Sequence, residues 1–161
     1  MTSNVHEYEY EYIIDNNALS RLKRHRRASD FFRRSCHIPT EVFHEARFLL
    51  DIEELRGNEY RTTPSVLTIL IEVMATVPIS DVKLVNLYAN RGNADPLVVA
   101  CAVDGQRKSN KRLFGPAWVV VSNDKALQAK AAEFGIEVRT NEEFIAILEG
   151  DAPKKRSECD S

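Results

Sequence analysis

Four carboxylates in this chain stand where an apolar run gives way to a helix. Asp15 follows Tyr12-Ile13-Ile14, and Asp124 follows Trp118-Val119-Val120-Val121 by two polar residues. Asp95 directly precedes Pro96 and the apolar stretch Leu97–Val103, and Glu45 sits about one turn into the helix expected after Cys36-His37-Ile38. Each has an ordinary explanation. Asp15, Asp95 and Asp124 are good helix N-caps, and Glu45 could be a surface residue. Caps explain the acids one by one but not their convergence. Repeated strand-then-helix units give a largely parallel sheet with right-handed crossovers, so all four side chains project from the carboxyl-end rim, where open α/β sheets hold their ligands. Carboxylates gathered there repel one another and raise their own pKa values unless a cation joins them. An oxygen-only ligand set without clustered Cys or His suits Mg2+ or Mn2+ rather than zinc.

The elements that must position these acids are legible in outline. Ile13 and Ile14, adjacent and β-branched, suit a central strand over about 9–14, followed by a helix at about 16–24. Ser35–Ile38 reads as a second strand ended by Pro39. A helix from Glu41 follows, with Val42, Phe43, Ala46, Leu49 and Leu50 as its apolar side. Pro64 opens a strong helix, expected to bury Val66, Leu67, Leu70, Val73, Met74 and Val77. A short strand is expected at 77–79, a helix from Ser80 or Asp81 to about Asn90, and a buried helix from Asp95 to about Val103. The polar stretch 104–117 reads as a loop. Trp118–Val121 is the clearest strand, then a helix to Phe134 closed by Gly135, a short strand 136–138, and a last helix capped by Asn141. The expected architecture is a three-layer α/β/α sandwich around a mostly parallel sheet of four to five strands. It comprises a domain over 9–149, a flexible arm at 1–8 and a disordered tail at 150–161.

With 161 residues, 43% apolar and 29% charged, the chain has the size and composition of one globular domain. The net charge of -2 excludes a polycation, so any nucleic-acid contact must come from local patches. Two patches exist: residues 21–34, with seven cationic side chains against Asp30 alone, and 105–116, with Arg107, Lys108, Lys111 and Arg112. The first reads equally as a solvated face or as a surface for RNA or an acidic partner; the role of the second is open. Cys36, Cys101 and Cys159 have no CxxC spacing, which points away from a disulfide framework or zinc site and toward a reducing cytoplasm. No apolar run approaches the ~20 residues of a membrane span, and the polar N-terminus is not a signal peptide. His37 and His44 flank the acid region and read as structural. No Gly-rich phosphate loop is present.

The ordered set of four acids resembles the PIN-domain nucleases. Ile13-Ile14-Asp15-Asn16-Asn17-Ala18-Leu19 looks like the family's opening motif, and Ile38-Pro39-Thr40-Glu41-Val42-Phe43-His44-Glu45 like the segment carrying its glutamate. Ala94-Asp95-Pro96-Leu97-Val98-Val99-Ala100-Cys101-Ala102 and Val119-Val120-Val121-Ser122-Asn123-Asp124-Lys125-Ala126-Leu127 look like the third and fourth motifs. The resemblance implies that Asp15, Glu45, Asp95 and Asp124 form an acidic, metal-binding catalytic quartet, with Glu41 competing with Glu45 for the second place. It implies that Asn17 and Ser122 order the site. Asn16 stands where Thr is usual, and the basic stretch 105–116 is longer than usual.

By the same resemblance the chain is expected to hydrolyse RNA phosphodiester bonds with Mg2+ or Mn2+, as small single-domain members similar to VapC-type toxins do. Because the distal part of 24–34 and the stretch 105–116 fall on the far rim, Lys125, Arg47 and Arg91 are the better candidates to contact substrate phosphate. The expected partners are RNA, an antitoxin protein and, in a homodimer, a second copy of the chain, with no membrane partner. A non-catalytic RNA- or protein-binding module, a housekeeping RNA-processing nuclease and a small-molecule phosphatase are the alternatives.

Overall fold

A computed structural model describes residues 9–77 and 95–150, with the backbone only at Asp95. The expected strand beyond Val77, the helix to about Asn90, Arg91, the arm 1–8 and the tail from 151 onward lie outside the described residues. In chain order the elements are β1 (Tyr10–Ile14), α1 (Asn16–Arg21), α2 (Arg24–Arg27), α3 (Asp30–Ser35), β2 (Cys36–Pro39) and α4 (Thr40–Glu45). A 3-10 helix (Ile52–Asn58) then leads to β3 (Glu59–Tyr60) and α5 (Pro64–Ala75). The last elements are α6 (Asp95–Asn110), β4 (Ala117–Val121), α7 (Lys125–Glu133), β5 (Glu137–Arg139) and α8 (Asn141–Gly150).

The five strands form one parallel sheet in the order β3-β2-β1-β4-β5, flanked by helices as an α/β/α sandwich. β1 and β4 lie at its centre, and Ile13, Ile14, Val119, Val120 and Val121 are all fully buried, as strands covered on both faces require. Register separates the two faces. Tyr12 pairs with Val119 and turns toward Phe31 of α3 and Phe144 of α8, with ring centroids 5.8 and 5.2 Å away. Glu11 pairs with Trp118, whose indole lies on the opposite face against Gly105 of α6. Right-handed crossovers agree with this division, placing α1–α4 on the first face and α5–α7 on the second. Val98 to Ala102 of α6 are fully buried and form the centre of the second layer.

Several expectations change in detail. α4 stops at Glu45 instead of continuing to Leu50, which is 98% exposed; the chain turns there to bring Asp51 to Arg27. The buried stripe of α5 is Val66, Ile69 and Val73, at i, i+3 and i+7, while Leu67 and Ile71 face outward. α6 does not end near Val103 but runs to Asn110, so much of the expected basic loop is helix. Its polar last turns all find partners. Lys108 reaches Asp104 one turn back at 2.8 Å, Gln106 accepts the Trp118 backbone N–H at 2.9 Å, and Ser109 accepts the indole N–H at 2.9 Å. Gly135, at φ 76°, closes α7: its N–H and that of Ile136 return to the carbonyls of Ala132 and Ala131. Thr140, not Asn141, caps α8: its hydroxyl accepts the Glu143 backbone N–H and donates to the Glu143 carboxylate, each at 3.2 Å. Among the described residues no helix is long and apolar enough to cross a membrane.

Candidate functional site

β1 and β4 run in register from Tyr10 beside Ala117 to Ile14 beside Val121. One step further, Asp15 comes beside Ser122, and the Asp15 N–H donates to the Val121 carbonyl at 3.3 Å. Both chains leave the sheet here into helices, and each carries an acid as its cap. Asp15 Oδ1 accepts the Ala18 N–H at 2.7 Å, and Asp124 Oδ1 accepts the Leu127 N–H at 2.9 Å. The cap reading and the convergence reading therefore hold together for this pair. A carboxylate offers about four acceptor positions, so one cap bond does not exhaust it.

Ser122 joins the two acids. Its hydroxyl, fully buried, donates to the Asp15 carboxylate and accepts the Asp124 backbone N–H at 3.0 Å. Burial pushes the Asp15 pKa above its ordinary 3.8 and the nearby charge of Asp124 adds to that rise, while the bonds from Ser122 and Ala18 oppose it. Asp124 itself is exposed. The rim thus holds one buried acid that resists ionisation and one solvated acid that adds to the resistance.

The remaining expected residues are placed as follows. α6 begins at Asp95 and runs back to the amino-end rim, but its Asp95 side chain is not among the described atoms. Glu45 is the last residue of α4 and half-buried, and Glu41 lies in the first turn. Lys125 and Arg47 are exposed, next to Asp124 and Glu45 in the chain. Asn17 is exposed, and its Oδ1 accepts from Arg21 Nε at 3.0 Å. Asn123, not singled out from the sequence, ties the rim to α8: its Oδ1 accepts the Asn141 N–H at 2.8 Å. Its place between Ser122 and Asp124 was the available signal.

The basic segment 21–34 is only partly a surface. Arg27 is buried and forms a two-pronged ion pair with buried Asp51, at 2.8 and 2.7 Å, while also donating to the Leu22 carbonyl. Arg24 pairs with Glu54 and Arg26 with Glu149, each at 2.8 Å. Arg21, Lys23, Arg33 and Arg34 remain exposed.

The fit of these residues to a divalent cation is partial. The pair Asp15 and Asp124 has the right donor atoms and the mutual repulsion that a cation relieves. Among the described residues, however, no group of three or more His, Cys, Asp or Glu is placed to hold a metal. Comparison with known proteins finds no family model that matches the chain and no curated protein that matches it significantly.

Proposed function

We propose that the chain is a metal-dependent endoribonuclease of the PIN-domain kind, cytoplasmic, acting at the carboxyl-end rim of its sheet. The observation that carries this reading is the Asp15–Ser122–Asp124 arrangement: two acids at the ends of adjacent central strands, joined by a buried hydroxyl. Asp15 and Asp124 would hold Mg2+ or Mn2+, with Asp95 and Glu45 completing the set. When bound, such an ion supplies Lewis acidity that activates water and offsets charge growing on the phosphate. Ser122 fixes the spacing of the two acids. Lys125, Arg47 and Arg91 are the cations that would orient the scissile phosphate. A toxin restrained by a small antitoxin is one such role, with Lys23, Arg33 and Arg34 exposed and available to an acidic partner or to RNA.

A second reading has its own support. Asp15 and Asp124 already serve as helix caps, and the described residues contain no three-acid group, as a non-catalytic binding module would show. One assay separates the two: labelled single-stranded RNA incubated with the full chain in Mg2+, in Mn2+ and in chelator. Metal-dependent cleavage that disappears in Asp124→Asn supports the nuclease. RNA binding without cleavage in either metal supports the binding module.

A further inference from the structure

The amino-end rim carries a cavity, on the α6 face and away from the acids. It encloses about 440 Å3, within the range of small-ligand pockets. Glu11 of β1 marks its position, four residues and so about 13 Å along the strand from Asp15. Its wall is aromatic: His37 and Trp118 lie with ring centroids 4.9 Å apart, and Tyr60 meets the indole edge-on at 5.5 Å. Its polar groups are of both signs, with Glu59 and Arg61 paired at 3.5 Å among them. Glu11 is bonded to His37 at 2.9 Å, and Lys108 is held by buried Asp104 at 2.8 Å. Arg112 lines the mouth, exposed, in no ion pair among the described residues. A second cavity of about 410 Å3 shares Lys108 and adds Arg107 and Lys111.

This combination selects a ligand class. A simple cation is opposed by the uncompensated Arg112 and Lys111. A ringless polyanion gains nothing from the aromatic wall and is repelled by Glu11. A nucleotide satisfies all three features: a planar base for the aromatic wall, exocyclic N–H donors for the carboxylate, and a phosphate for the guanidinium. We infer that the amino-end cavity is a nucleotide-binding site, with the base against the half-buried Tyr60 and His37 rings beside Trp118 and the phosphate on Arg112. The nucleotide can be a free monophosphate or one unit of a single-stranded RNA, whose next phosphate would meet Lys111.

Trp118 is the only tryptophan of the chain, so its emission reports on this cavity alone. The full chain in chelator is titrated with adenosine and cytidine 5′-monophosphate, with an unstructured short RNA, and with inorganic phosphate. The chelator keeps the acids at the other rim out of the measurement. A saturable change in emission with monophosphate, weakened about tenfold or more in Arg112→Ala, is the expected result for a free nucleotide. The same Arg112 dependence with RNA alone assigns the nucleotide to a strand. Arg112 is exposed, so its variant keeps the fold, which an unchanged unliganded emission spectrum verifies. Inorganic phosphate competing as well as the nucleotides would overturn the inference, because the base would then contribute nothing. So would an absence of any emission change, or equal binding by Arg112→Ala.

Discussion

The Ser122 hydroxyl donates to the Asp15 carboxylate, although the two residues are 107 positions apart in sequence and each ends a different strand. Parallel register makes them neighbours, and the same hydroxyl accepts the Asp124 N–H at 3.0 Å. Ser122→Ala removes both bonds in a fully buried place and leaves Asp15 with one fewer donor. We expect a loss of about 1–3 kcal/mol in unfolding free energy, measured by urea denaturation. A variant as stable as the parent would show that the hydroxyl does not hold the two acids together.

Cation binding follows from the same pair. Mg2+ or Mn2+ binding to the native state raises the melting temperature by mass action, worth about 2.7 kcal/mol at a hundredfold excess over Kd. Asp124→Asn removes a donor and also the charge that makes Asp15 harder to ionise, so its metal-induced rise should shrink while its metal-free stability holds or improves. Asn remains an adequate helix cap, so the substitution separates charge from capping. Identical metal responses in parent and variant, read by calorimetry, would remove Asp124 from any metal site.

The central strands and both acid caps were legible in the sequence because their signals are local. Ile13-Ile14 and Val119-Val120-Val121 are short, β-branched and apolar on successive residues, as suits a strand covered on both faces. What escaped depends on distant partners. β3 is the two-residue Glu59–Tyr60, too short for any periodicity, and exists because Ile38 and Pro39 of β2 lie beside it. The last turns of α6 look like a loop by polarity, yet Gln106 and Ser109 are satisfied by Trp118 across the fold. Arg27 reads as one more surface cation until Asp51 is brought to it. Of the acidic rim, the four acids could be placed through strand and helix order, whereas Ser122 rests on the family resemblance; the Asp95 side chain and Arg91 fall outside the described residues.

The Arg27–Asp51 pair gives the fold a pH dependence at its acid edge. The hydrogen bonds from the Arg27 guanidinium hold the Asp51 carboxyl below its ordinary 3.8, outweighing the upward effect of burial. A carboxyl depressed in the folded state stabilises it above the unfolded pKa of about 3.9, and that contribution is lost as pH falls through the lower folded value. Stability should therefore fall from about pH 4 downward, and less steeply in Arg27→Met with Asp51→Leu. Asp51→Asn alone should cost about 3–5 kcal/mol at neutral pH, because it strands a buried guanidinium, while the double substitution should cost much less. Denaturant melts across the pH range decide this. Equal acid sensitivity in parent and double variant would place the titrating groups elsewhere.

At the amino-end rim Gly105 packs closely against Trp118. A Cβ at position 105 would lie 2.4 Å from Cδ2 and Cε2 of the indole. The ring has little room to yield. It is 8% exposed, its N–H is bound to Ser109 at 2.9 Å, and His37 and Tyr60 lie against it. Alanine is normally the better helix residue by about 1 kcal/mol. Here we expect the opposite sign: Gly105→Ala should destabilise by about 1–3 kcal/mol net, as overpacked cores do. The ring must shift, so the Trp118 emission maximum should move as well, and nucleotide affinity at the cavity should change with it. Gly57→Ala is the control, since nothing lies within 4 Å of a Cβ there, and it should leave both stability and emission unaltered. A Gly105→Ala protein that melts and emits like the parent would mean that α6 stands further from the indole than this geometry places it.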